Sequence, residues 1–102
     1  NPSSVAPLID GLASGSAWVR YRAASALGHF GSRQAVQPLL KLLADIDPRV
    51  RKTAVQSLGM IAAPEAEEPI KTAMINLARD EWMIFREALR KIRKQQQASI
   101  IQ

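Results

Sequence analysis

The sequence predicts an all-α fold, a right-handed α-solenoid of three helical hairpins with about six helices. Three observations carry that expectation: the chain repeats itself at a fixed period, each copy shows two helical stripes divided by turn residues, and no stretch has the strict alternation of a half-buried strand. Shifting the sequence by 31 positions lays residues 5–33 on residues 36–64 with ten identities in 29 positions. The identical pairs are Val5/Val36, Pro7/Pro38, Leu8/Leu39, Leu12/Leu43, Ala13/Ala44, Val19/Val50, Arg20/Arg51, Ala23/Ala54, Leu27/Leu58 and Gly28/Gly59. Such self-similarity marks units that bury their apolar faces by stacking on neighbours.

In the first copy helices are expected near 3–13 and 17–30, the second ending at Gly31. In the middle copy Ser32 is placed to cap a helix whose Val36, Leu39, Leu40 and Leu43 recur on one face. A turn at 45–47 follows. Asp47 is the expected N-cap of the next helix, with Pro48 at the first helical position, where its missing N–H costs nothing. Val50, Ala54, Leu58 and Ile61 form that helix's buried stripe, and Pro64 marks the next break. A degenerate third copy starts in register at Pro69 and Ile70. It then needs three extra residues for Ile84, Ala88, Leu89 and Ile92 to match Val50, Ala54, Val55 and Leu58, with helices near 65–78 and 81–96 and Asp80 as the second cap. The whole reads as one domain, 1–102, with repeats about 3–31, 32–62 and 64–96 and a tail at 97–102. Because the first residue is Asn1, the chain is expected to be a segment of a longer protein.

The recurring Val-Arg with Ala and Leu-Gly behind it, the preceding Pro-Leu, and the Asp45-Ile46-Asp47-Pro48 turn resemble HEAT-like repeats of the short, armadillo-like type found in phycobilisome (phycobilin) lyase subunits and in bacterial scaffold proteins. The resemblance covers nearly the whole chain and is specific for the fold. It implies a structural arginine ladder, in which Asp45 or Asp47 of the inter-helix turn pairs with Arg20 or Arg51. A guanidinium suits that place because it can satisfy a carboxylate and helix-terminal carbonyls at once. Some iron enzymes built from such repeats carry His-Glu pairs just after the Val-Arg position. Here those positions hold Tyr21-Arg22 and Lys52-Thr53, so the resemblance does not bring iron chemistry with it.

Composition narrows the function classes. The 102 residues are 47% hydrophobic and 23% charged, the balance of a soluble globular domain. With no cysteine there is no disulfide framework, thiolate metal site or cysteine nucleophile, and a cytoplasmic setting is expected. No apolar run approaches the roughly 20 residues of a membrane span. The net charge of +5 is spread thinly: residues 1–34 carry three bases and one acid, 35–63 four and two, 64–102 seven and six. His29 is the only histidine, so no histidine metal cluster can be assembled; Ser14, Ser16, Ser25 and Ser57 have no histidine partner at a repeat-consistent place on which a hydrolytic triad could rest, and a packing or capping role is expected for His29. Gly28 and Gly59 stand a full repeat apart and form no phosphate cradle; they are expected to permit close helix approach. No metal, cofactor or catalytic residue is therefore expected, and the chain is read as no enzyme.

What remains is an interaction surface. If Val19, Ala23 and Leu27 face inward, then Trp18, Tyr21, Arg22 and Ser25 face out. The same row continues as Arg49, Lys52, Thr53 and Gln56, then Met83, Arg86, Glu87 and Arg90. In solenoids of this resemblance the second helices line the concave face. Trp18, Tyr21, Arg22, Arg49, Lys52, Gln56, Arg86 and Arg90 are the candidate partner-binding residues, of types that dominate binding hot spots. The leading expectation is a non-catalytic scaffold module for a protein partner, engaged on the concave face or at an exposed solenoid end, where self-association is also expected. The first alternative, from the resemblance, is a phycobilin lyase-related subunit holding a bilin or a phycobiliprotein. The second is nucleic-acid binding through the basic row.

Overall fold

Three helical hairpins stack side by side in the computed structural model, which describes the backbone of residues 2–101 and the side chains of residues 5–98. The six α-helices of the described residues are α1 (Pro2–Gly11), α2 (Ala17–Phe30), α3 (Val36–Lys41), α4 (Pro48–Ile61), α5 (Glu67–Met74) and α6 (Arg79–Ile101). Short 3-10 turns lead into α3 (Arg33–Ala35) and α5 (Pro64–Ala66) and follow α3 (Leu42–Ala44), and no strand occurs among these residues. The second helices form one layer, with α4 packed between α2 and α6, and α1, α3 and α5 each back their own hairpin partner. The result is a slab of 39 × 34 × 16 Å, the quasi-one-dimensional stack expected of repeat units.

Burial follows the repeat. Val50, Ala54, Val55 and Leu58 are wholly buried on α4, as are Leu27 on α2 and Ile70 and Ile92 in the third hairpin. The start of α4 is built as its sequence requires: Asp47 accepts a hydrogen bond from the Arg49 backbone N–H at 2.8 Å, with Pro48 in the first turn. Both α2 and α4 end in the same two-bond closure, Gly31 N to Gly28 O with Ser32 N to Leu27 O, and Ala62 N to Gly59 O with Ala63 N to Leu58 O.

That closure needs a left-handed residue. Gly31 supplies it freely at φ 63°, whereas Ala62 is held there at φ 60° against its Cβ. Ala62→Gly is therefore expected to raise the melting temperature by about 4 °C, the left-handed relief of about 1–2 kcal/mol outweighing the extra freedom glycine gives the unfolded chain. A thermal melt followed by circular dichroism checks it, and a lower midpoint would refute it.

Four expected boundaries shift. Ser32 flanks a 3-10 turn rather than the helix itself; its side chain makes no cap bond, and its backbone carbonyl closes the turn by accepting from Ala35 N at 3.2 Å. The predicted 65–78 helix shortens to Glu67–Met74, since Pro64 starts a separate turn before it. The final helix begins at Arg79, with Trp82 N bonded to Ala78 O at 2.8 Å, so Asp80 lies inside the first turn rather than at the cap. It runs on to Ile101, through the stretch expected to be a tail.

Candidate functional site

Between the hairpins, guanidinium groups fix neighbouring repeats to one another. Arg20 on α2 grips Asp45 through Nε (2.8 Å) and one Nη (3.1 Å) and donates its other Nη to the Ser14 carbonyl at 2.8 Å. Arg51, one repeat later, grips a different acid: Nε and Nη2 donate to Glu81 at 2.9 and 2.6 Å, and Nη1 donates to the carbonyls of Asp45 and Ile46 at 2.8 and 3.3 Å. Of the expected ladder, Arg20 takes Asp45 as its carboxylate, while Arg51 takes Glu81 rather than Asp45 or Asp47. Each arginine reaches forward into the next hairpin for its carboxylate and back to its own inter-helix turn for carbonyls. Asp47 instead holds Arg49 at 3.0 Å on the surface.

The acids respond to these contacts. Burial works against ionisation of Asp45, but the Arg20 fork and the Asp47 backbone N–H outweigh it and hold the carboxyl below its ordinary range. For Glu81 the Arg51 hydrogen bonds dominate, burial opposes them, and nearby Lys52 adds to the depression.

The outward row divides into two clusters. Trp18, 57% exposed, stacks on Tyr21 with ring centroids 5.5 Å apart, and the Arg22 guanidinium lies 5.6 Å from the Trp18 centroid. Positions i, i+3 and i+4 of one helix face bring these groups together, and aromatic stacking with a cation over the ring holds the indole in place. Arg49 from α4 joins Trp18 and Tyr21 around a cavity of about 210 Å³. The second cluster sits between α4 and α6, where Gln56, Met83, Ile84 and Lys91 line about 220 Å³. Arg86 is exposed and lines neither cavity, while Arg90 is paired with Glu87 at 3.1 Å. Thr53, expected in this row, is buried instead, and Val19, expected inside, is 42% exposed. His29 donates through Nδ1 to the Ser25 carbonyl one turn back at 2.8 Å, in the last turn of α2.

Residues 5–91 match the family of HEAT repeats. This chain belongs to the HEAT-repeat family. Among solved structures it is similar to human deoxyhypusine hydroxylase in complex with glycerol, at a TM-score of 0.82 and 26% identity; the match covers 97% of this HEAT-repeat chain and 35% of that one. No curated protein matches its sequence.

Among its described residues no group of three or more His, Cys, Asp or Glu side chains could hold a metal ion, and no helix is long and apolar enough to cross a membrane. Two positions of this HEAT-repeat stack escaped sequence reasoning. Glu81 is hidden because the third copy shifts its acid along with its insertion. Phe85 falls where the earlier copies carry the ladder arginine, and it is wholly buried, so the arginine contact has no third rung. The exact spacing of 34 from Arg51 to Phe85 was the signal available for it.

Proposed function

We propose that this HEAT-repeat chain is a non-catalytic interaction module that binds a protein partner across the layer formed by α2, α4 and α6, in the cytoplasm. The observation that carries the reading is the preorganised aromatic and cationic cluster: an exposed indole stacked on Tyr21, covered by Arg22 and facing Arg49 across a cavity. Aromatic and arginine side chains held in one geometry before binding lose little entropy on contact and are the usual anchors of protein interfaces. On α6, Arg90 is already neutralised by Glu87 and Arg93 by Glu67.

The test is affinity capture followed by titration of the purified partner against the chain and its Trp18→Ala and Arg49→Glu variants. Loss of roughly 30-fold in affinity for Trp18→Ala, with the melting temperature unchanged, is expected of a hot-spot residue; equal affinity would remove the surface from the interface.

The same stacked pair could lie against a tetrapyrrole, with Arg22 and Arg49 meeting its propionates. A saturable shift of a bilin's visible band that Trp18→Ala abolishes would favour that lyase-related role over a protein scaffold. A mobility shift of nucleic acid at low salt that vanishes as salt rises would favour the polyanion reading instead.

A further inference from the structure

Two cavities open on the layer of second helices, one on each side of α4. The first is walled by Ala17, Trp18 and Tyr21 from α2 and by Arg49 from α4. The second, between α4 and α6, has an apolar floor of Met83, Ile84 and Ala88, with Gln56, Glu87 and Lys91 around it. Both lie on seams inside the stack, where two neighbouring repeats face each other, and α4 supplies a wall of each. Arg49 and Gln56 are seven residues apart on α4, roughly 10 Å along its axis. Across α4 the cavities are offset by about one helix spacing, roughly 9 Å.

Charge on this layer is one-sided. Its outer acids are already engaged, Asp47 with Arg49 and Glu87 with Arg90. Arg22, Lys52, Arg86 and Lys91 make no ion pair among the described residues. Four cations without a carboxylate, spread over all three second helices, call for an occupant that is acidic along its length.

We infer that the two cavities are anchor points for an extended, acidic segment of the protein partner, which seats a proline at Trp18 and Tyr21 and an aliphatic side chain on Met83, Ile84 and Ala88. This identity of the occupant rests on the proposed function, since the same layer is the interface. The combined offset is roughly 13 Å, which an extended chain spans in about four residues, so the anchors stand at i and i+4. An extended chain also keeps its backbone N–H and C=O groups open. The exposed Gln56 carboxamide, with a donor and an acceptor, lies where it can meet them, whereas a helix has spent its own. Proline suits the first cavity because its ring packs on aromatic walls and its fixed φ keeps the segment extended. A nucleic-acid strand would satisfy the cations but would leave the apolar floor of the second cavity without a matching group.

The experiment measures fluorescence anisotropy of labelled peptides of about 12 residues with the full chain. The parent peptide carries proline and leucine four positions apart among glutamates and glycines; one twin has lysines for the glutamates, and another has the leucine next to the proline. Saturable binding of the parent peptide, at least ~10-fold tighter than either twin, is expected. Met83→Ser, at a position 50% exposed, should weaken it roughly 10-fold with an unchanged melting curve, and Lys91→Glu should weaken it without weakening the lysine twin. Failure of the parent peptide to saturate, equal binding of the twins, or indifference to Met83→Ser overturns the inference. So does a stapled helical twin that binds as tightly, or a single-stranded DNA that displaces the peptide and is itself indifferent to Met83→Ser, which would give the face to a polyanion. A purified partner that loses affinity with Trp18→Ala but not with Met83→Ser keeps the layer as the interface and removes the second anchor, whereas one indifferent to both removes the layer itself.

Discussion

Replacing Gly28 by alanine is expected to lower the melting temperature by about 10 °C, whereas the same change at Gly59, its exact counterpart one repeat on, should move it little. At Gly28 a Cβ would collide with the Ser57 hydroxyl and stand 2.6 Å from the Ser57 Cβ and 2.8 Å from its Cα. A backbone atom cannot step aside without moving α4, and α4 is held on both sides by α2 and α6. The displaced Ser57 would also lose its buried bond to the Ala24 carbonyl. Overpacking of about 1–3 kcal/mol and a buried hydrogen bond of about 1 kcal/mol together exceed the ~1 kcal/mol that alanine gains over glycine inside a helix. At about 4–8 °C per kcal/mol for a chain of this size, the loss is large.

At Gly59 the nearest atoms are the Ala88 Cα and Cβ, both 3.3 Å away. A shift of a few tenths of an ångström relieves that contact, so helix propensity and crowding nearly cancel and the change should stay within about 1 kcal/mol. Parallel thermal melts of the two variants decide it. A Gly28→Ala variant that melts like the parent would mean that α2 and α4 are not locked at Ser57.

This asymmetry also explains how far the fold could be read from the amino acids. Gly28 and Gly59 recur because each second helix meets the next at close range, and that much follows from their spacing. Their unequal tolerance does not, since it depends on whether the facing residue is Ser57, whose hydroxyl is committed to a buried bond, or Ala88. The hairpins, the Asp47 cap and the buried stripe of α4 were legible because each is set by residues within a turn or two. The Trp18, Tyr21 and Arg22 cluster was legible for the same reason, through i, i+3 and i+4 spacing on one helix.

Partners across the stack were less so. Equating Arg22 with Thr53 by repeat position put both on one outer row, but Thr53 is buried and Arg22 is exposed. The carboxylate for Arg51 was misassigned because the link into α6 is three residues longer and that helix starts before Asp80, which carries Glu81 round to the guanidinium. A local pattern names the residue that reaches; the geometry of the next repeat decides what it touches.

Arg51→Ala should cost about 3 kcal/mol at neutral pH, a fall of roughly 12 °C or more in melting temperature, because it strands a carboxylate that is 8% exposed and two turn carbonyls at once. Arg51→Lys should recover only part of the loss, since an ammonium cannot meet both Glu81 oxygens and the Asp45 carbonyl in the plane of a fork. The acid limb separates a charge effect from mere packing. Glu81 and Asp45 are both held below their unfolded values of about 4.3 and 3.9, so between the folded and unfolded pKa values the unfolded chain binds more protons than the folded one. Their contribution is accordingly complete above about pH 5 and drains away as the pH falls through the unfolded and then the folded values. Glu81→Gln removes one of these two titrations. The gap in melting temperature between parent and Glu81→Gln should therefore be widest near pH 7 and close progressively below about pH 5. A gap of constant width from pH 7 to pH 3 would show that Glu81 holds α6 to α4 by shape alone, and that the Arg51 fork contributes no charge-dependent stability to the stack.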